Sequence, residues 1–303
     1  MPVSRLFAWF FPAQNNTWLT ILRIGLGLQL TLYDLSLRHD WLHLLNNYGR
    51  RISEAVLAAE SSAIPRIGWL VRCAIAVGAS EDQVLRLIPL ILLATSLLVI
   101  AGLFCRTTAI TGWLLHLAMV KSTSVFSYGA DGFTTIGLFY LALSPLPDPW
   151  SLDWQWRKLR PRYADLAGFF RRALQLHLCF IYFFSGLTKV IGTGWWNGDN
   201  LWRALTRPPF DVIDPGFIAK GKSFLPLAGI IVCLLELGYA VFIWPKQTRT
   251  AWLLAVIGMH IGIGVFMRMP LFAFIMVLLN VAAFGPELLL PRPANLMAEV
   301  DLK

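Results

Sequence analysis

Leu174-Gln175-Leu176-His177-Leu178-Cys179-Phe180-Ile181-Tyr182-Phe183-Phe184-Ser185-Gly186-Leu187-Thr188-Lys189-Val190 is a largely apolar run with a lysine one place from its end, and Gly192-Thr193-Gly194-Trp195-Trp196 follows closely. Coiled as a helix, the run has nearly the length needed to cross about 30 Å of hydrocarbon. Tryptophans at its exit suit a membrane–water interface. An amine there either snorkels to the headgroups or is held, desolvated and reactive, inside a bundle. The fate of Lys189 separates an inert anchor from a chemical site.

The rest of the chain agrees with a membrane reading. Of 303 residues, 57% are hydrophobic and 14% charged, and the mean hydropathy is +0.62, too apolar for a soluble protein of this size. Apolar runs of spanning length occur at 17–35, 85–103, 107–124, 132–147, 166–191, 225–244, 250–267 and 270–289. The expected fold is therefore all-α, a polytopic membrane bundle of about eight transmembrane helices with two long outward loops. Residues 64–79 carry Arg66 and Arg72 and are short, which predicts a re-entrant or interfacial segment. The first apolar run lacks a small-residue cleavage site and leads into further spans, so it reads as an anchor. One membrane domain over 1–290 and a cytoplasmic tail over 291–303 account for the sequence.

A net charge of +9 does not imply nucleic acid here, because the placement of Lys and Arg sets orientation. With the N-terminus cytoplasmic, Arg106, the cluster Arg157, Lys158, Arg160, Arg162, Arg171 and Arg172, the pair Lys246 and Arg249, and Arg292 all fall inside. Eight crossings return the C-terminus to the same side, in a cell inner membrane. Segments 38–86 and 192–224 then face outward. The first holds Arg38, His39, Asp40, His43, Asn46, Asn47, Tyr48, Arg50 and Arg51. His39 and His43 have i, i+4 spacing but no convergent carboxylate, so no metal is expected. The second reads as an irregular lid, since Pro208-Pro209 and Asp214-Pro215-Gly216 break helices. Cys73, Cys105, Cys179 and Cys233 form no C-x-x-C pair and read as small core residues.

Ionisable groups inside spans cost about 2.5–3.5 kcal/mol at a helix centre and point inward by default. At about 100° per residue, Arg171, Gln175, Leu178, Tyr182, Ser185 and Lys189 form one stripe, either a polar path or a packing face with cations snorkelling at its ends. Glu236 and His260 sit at similar depth on consecutive helices, where a hydrogen-bonded pair is geometrically easy, as a functional pair or a structural bridge. Arg23 and Asp34 share a helix face about three turns apart, so each needs its own partner or a membrane edge. His116 shares a face with Thr123, with Lys121 near the helix end; alone, it reads more readily as a satisfied core histidine than as a catalyst.

Phe180-Ile181-Tyr182-Phe183-Phe184-Ser185-Gly186-Leu187-Thr188-Lys189-Val190 with Trp195-Trp196 resembles a helix of vitamin K-dependent gamma-carboxylases. Ser127-Tyr128-Gly129-Ala130-Asp131-Gly132, Leu138 to Pro145, Ser151-Leu152-Asp153, and Glu236-Leu237 followed by Arg249 and His260 resemble the HTTM (horizontally transferred transmembrane) family, the bacterial branch of that superfamily. The resemblance implies that Lys189 is the base that starts oxygenation of a reduced quinone, a vitamin K hydroquinone-like cofactor. It further implies that Glu236, His260 and Asp131 line the outward site, and that Tyr182, Ser185, Trp195, Trp196 and His116 contact the cofactor. Two departures count against full carboxylase activity: Gly129-Ala130-Asp131 stands where the carboxylases carry Asn-Asn-His, and their large lumenal domain is missing from this sequence.

Three readings follow. One is a carboxylase-like lyase or oxygenase using a quinol. Another is a non-catalytic membrane partner in maturation, export or immunity of a secreted peptide or protein, since bacterial relatives include proteins similar to the membrane component that matures a secreted peptide toxin. The third, a transporter, predicts inverted repeats and Gly/Pro-broken helix pairs, which this sequence lacks. P-loops, dinucleotide fingerprints and nucleophile elbows are also missing. Membrane lipids are expected partners.

Overall fold

The computed structural model describes residues 3–12, 16–45, 64–123, 127–210 and 212–286. Asn46, Asn47, Tyr48, Arg50, Arg51 and the 291–303 tail lie outside them. Among the described residues every regular element is helical: α1 Val3–Phe10, α2 Thr17–Leu37, α3 Trp41–Leu45, α4 Ile67–Ala76, α5 Glu81–Ala101, α6 Cys105–Ser122, α7 Gly129–Leu143, α8 Leu152–Gln155, α9 Leu166–Ile191, α10 Thr193–Trp196, α11 Asp199–Thr206, α12 Pro215–Lys220, α13 Leu225–Phe242, α14 Lys246–Phe266 and α15 Pro270–Phe284. The protein is an all-helical membrane bundle. Among the described residues four stretches are long and apolar enough to cross a membrane: α5, α9, α13 with its preceding 3-10 turn, and α14. The other four apolar runs are helical too. Among them α2 contains Arg23 and Asp34, α6 contains Arg106 and Lys121, and α7 and α15 have 15 residues each.

The chain divides into two compact units, 1–173 with 260–279, and 174–259 with 280–303. In the first, α2 packs along α5 and α7, and α6 fills between α5 and α7. Trp18, Leu19, Leu22, Leu26 and Leu30 of α2 are completely buried. Gly27 brings the backbones of α2 and α5 together, since a Cβ there would stand 2.9 Å from the Ile100 amide nitrogen and 3.0 Å from the Ser96 carbonyl. Polar groups tie α2 to its neighbours as well: the Thr31 and Ser96 hydroxyls are 2.8 Å apart across that seam, and Gln29 Nε2 donates to Thr134 Oγ1 of α7 at 3.1 Å and to the Leu271 carbonyl of α15 at 3.2 Å.

The Ser-Leu-Asp stretch is a staple. α5 starts on a capping box between Ser80 and Gln83 and ends at Gly102 in the left-handed region, φ 69°. A side chain at Gly102 would strike Ser151. Asp153 accepts from the amides of Phe104 (3.1 Å) and Cys105 (2.7 Å), satisfying donors at the start of α6. Its own amide donates to the Gly102 carbonyl at 2.9 Å. Burial tends to raise the Asp153 carboxyl, but the Cys105 amide, the Arg157 guanidinium and the Phe104 amide hold it below the usual carboxylate range. Beside it, Arg23 Nε donates to Asp148 Oδ2 at 2.5 Å and Nη1 donates to the Val99 carbonyl at 2.8 Å. That pair supplies the partner Arg23 required.

Of two connecting segments, only the second departs from expectation. Residues 64–79 contain α4, ten residues long, about 15 Å at 1.5 Å per residue; it packs on α5 and α6. The 192–224 segment is not an irregular lid, because α10, α11 and α12 are short helices packed in sequence around the start of α13. Proline was misread there: Pro215 occupies the first turn of α12, where its missing N–H costs nothing, and Asp214 caps that helix by accepting from Gly216 (2.5 Å) and Phe217 (3.2 Å).

Candidate functional site

In the second unit α9 and α13 meet at Gly186. A Cβ on that glycine would lie 2.7 Å from the Leu237 amide nitrogen and 3.1 Å from Glu236 Cβ. Only a glycine allows this approach without displacing backbone. The buried residues of α13, Gly229, Cys233, Glu236 and Tyr239, recur every three or four places and so share a face. On α9 the stripe read from the sequence is buried through Arg171, Gln175, Leu178 and Tyr182 and opens only at Ser185 and Lys189.

The close approach delivers Glu236 to Lys189. The ammonium Nζ donates to Glu236 Oε2 at 2.6 Å and to Ser185 Oγ at 2.6 Å. The lysine side chain is 19% exposed and the carboxylate 8%. Trp195 covers the amine, its ring centre 5.3 Å from Nζ, and its carbonyl rests against Gly229 of α13. Trp196 donates from Nε1 to the Val190 carbonyl at 2.8 Å and is partly exposed. Just below the pair, Asn280 Nδ2 donates to Tyr182 Oη at 2.8 Å and Asn280 Oδ1 accepts from Tyr239 Oη at 2.7 Å. The two tyrosine rings are stacked at 4.1 Å, and all three side chains are buried.

The remaining candidates belong to the first unit. Asp131 Oδ2 accepts from the Tyr128 amide at 2.8 Å, which fixes the start of α7. His116 Nε2 donates to the Asp131 carbonyl at 3.3 Å. Because that oxygen can only accept, the imidazole carries a proton on Nε2. Tyr33 stands edge-on to His116 at 5.2 Å. The His260 ring lies 5.7 Å from Phe272. Glu236 was set beside His260 by sequence; the partner found for its Oε2 is Lys189. His39 Nε2 accepts from Arg38 Nε at 2.9 Å, and among the described residues no three His, Cys, Asp or Glu side chains gather to hold a metal.

Asn280, Tyr239 and Gly186 were missed as site residues. Asn280 was detectable, being an amide deep in an apolar run, where polar groups need inward partners. Chemically, the 2.6 Å hydrogen bond joins a charged donor, the Lys189 ammonium, directly to a carboxylate acceptor.

The sequence model of a family described as the HTTM domain matches residues 75–287. No curated protein and no solved structure matches the chain.

Proposed function

The chain belongs to the HTTM domain family, and on that premise we propose that it is a membrane enzyme related to the vitamin K-dependent carboxylases, with Lys189 as base at an outward-facing site for a reduced quinone. The observation that carries this reading is the half-open Lys189–Glu236 pair at 2.6 Å beneath Trp195. The residues fit such a guest: a hydroquinone presents acidic hydroxyls and an aromatic ring, and the site offers a proton acceptor, a hydroxyl at Ser185 and an indole face. When bound, the quinol supplies reducing equivalents and a phenolic proton. Glu236 takes the Lys189 proton and frees the amine; Ser185 holds Nζ in place; Trp195 limits water. Tyr182, Asn280 and Tyr239 keep the inner wall rigid and fully hydrogen-bonded. His260, Asp131 and His116, which the resemblance also implicates, belong to the first unit. The protein resides in a cell inner membrane with both termini cytoplasmic, the basic 157–172 segment facing the cytoplasm.

The test is oxidation of vitamin K hydroquinone by dioxygen as electron acceptor, with purified protein in lipid nanodiscs, followed by absorbance above the protein-free rate. Lys189→Ala and Glu236→Gln should each lower the rate by about 100-fold, as loss of a general base does. A wild-type rate in Lys189→Ala, or no quinol oxidation by the parent protein, overturns the reading. A second reading, a non-catalytic partner for maturation, export or immunity of a secreted peptide, is favoured by one observation: Asp131 and Asp153 of the family-like stretches start helices. It requires that Lys189→Ala retain cellular function while changes in 192–224 abolish it.

A further inference from the structure

The segment between Leu143, where α7 ends, and Leu166, where α9 begins, joins two apolar helices at one end of the first unit. Where both helices cross the membrane, this connection falls at headgroup level. Its surface is basic and aromatic. Arg157, Lys158, Arg160 and Arg162 are exposed, as are Trp150 (69%) and Trp156 (74%). Asp148 is buried with Arg23 and Asp153 pairs with Arg157 at 2.9 Å, which leaves Lys158, Arg160 and Arg162 without an ion pair among the described residues. Asp165 is the exposed acid of the segment.

Three of the arginines lie over rings: Arg157 over Phe104 at 4.6 Å, Arg160 over Trp154 at 4.0 Å and Arg162 over Tyr163 at 5.3 Å. A guanidinium that covers a ring with its face keeps N–H groups along its edge for oxygen acceptors; in Arg160, Nη1 donates to the Trp154 (3.2 Å) and Leu159 (2.9 Å) carbonyls, and Nε and Nη2 remain for a ligand. Among the described residues, neither Lys158 nor Arg162 has an ion-pair partner. Lys158 also stands at φ 54°, in the left-handed region that a lysine rarely adopts. The next amide, Leu159, donates to the Asp153 carbonyl at 2.9 Å and so holds that turn. Strain maintained in an exposed basic turn points to a use for its shape.

We propose that this segment is a binding platform for the phosphodiester headgroups of acidic phospholipids, with Lys158, Arg160 and Arg162 as phosphate ligands and Trp150 and Trp156 seated at the acyl boundary. Planar guanidinium edges match phosphate oxygens, and each basic residue near an anionic leaflet adds about 1 kcal/mol of attraction, roughly a fivefold gain. The platform is independent of the chemistry at Lys189.

Native mass spectrometry of the protein released from nanodiscs of phosphatidylcholine with a minor share of phosphatidylglycerol tests this. Retained lipid should be enriched at least fivefold in phosphatidylglycerol. The combined variant Lys158→Gln, Arg160→Gln and Arg162→Gln should return retention to the bulk ratio, whereas Lys220→Gln with Lys222→Gln should keep the enrichment. Because all five side chains lie on the surface, folding is checked by an unchanged Tm. Enrichment that survives the triple change, or is lost equally in the control pair, overturns the proposal. So does complete displacement of lipid by inorganic phosphate, which would mark a site for a soluble anion.

Discussion

Arg23 and Lys189 are both cations in apolar helices, and their surroundings assign them different work. Arg23 is 1% exposed, paired with a fully buried Asp148 and bonded to carbonyls at the end of α5. Every polar atom of that arrangement is enclosed, so its role is to hold α2 to the staple. Removing one partner strands a buried charge, which costs about 3–5 kcal/mol. Arg23→Leu should therefore lower Tm sharply in a thermal-shift assay and reduce folded yield. Lys189 differs because its side chain is 19% exposed, at the open end of its stripe. Lys189→Met should shift Tm far less than Arg23→Leu while abolishing any activity of the site. An equal fall in Tm for both would place Lys189 among the structural cations.

At the scale of elements, two contacts govern the arrangement. Gly186→Val places atoms into the backbone of α13, and overpacking of this kind costs about 1–3 kcal/mol. It should also separate Lys189 from Glu236, so the variant should lose quinol oxidation even at temperatures where circular dichroism shows intact helices. Asp153 acts at the other seam. Its folded carboxyl value lies below the unfolded 3.8, so its stabilisation is complete above 3.8 and disappears as pH falls through the lower folded value. Asp153→Asn should lower Tm at neutral pH by an amount matching a lost cap, about 0.5–2 kcal/mol. It should also flatten the parent's loss of stability in acid. The sequence made α9 legible to the residue, because hydropathy and the Gly192 break both mark its ends. It did not reveal Lys189–Glu236 or Arg23–Asp148, whose partners are 47 and 125 positions apart. Periodicity orients a face toward the interior without naming what it meets. The 192–224 segment was misjudged for a local reason, since proline in a first helical turn resembles a breaker until its capping aspartate is recognised.

For the whole molecule the outstanding quantity is the number of crossings. Four stretches meet the length and apolarity of a span, and four further apolar runs are helical. Eight crossings place the basic 157–172 segment and the Trp195-Trp196 exit on opposite sides, because α9 alone joins them with 26 residues, about 39 Å at 1.5 Å per residue. That length exceeds the hydrocarbon thickness of about 30 Å and brings Lys189 close to the far headgroups rather than the bilayer centre. Single cysteines at Arg160 and Asn197, in a Cys73→Ser background, test this directly. Cys105, Cys179 and Cys233 are buried and should be poorly labelled. An impermeant maleimide added to intact cells should label position 197 readily and position 160 only after lysis. The reverse pattern would turn the Lys189 site toward the cytoplasm and its substrates with it. Labelling of both positions from outside would mean that α9 does not cross, and the membrane path of the chain would need to be redrawn around the three other spans.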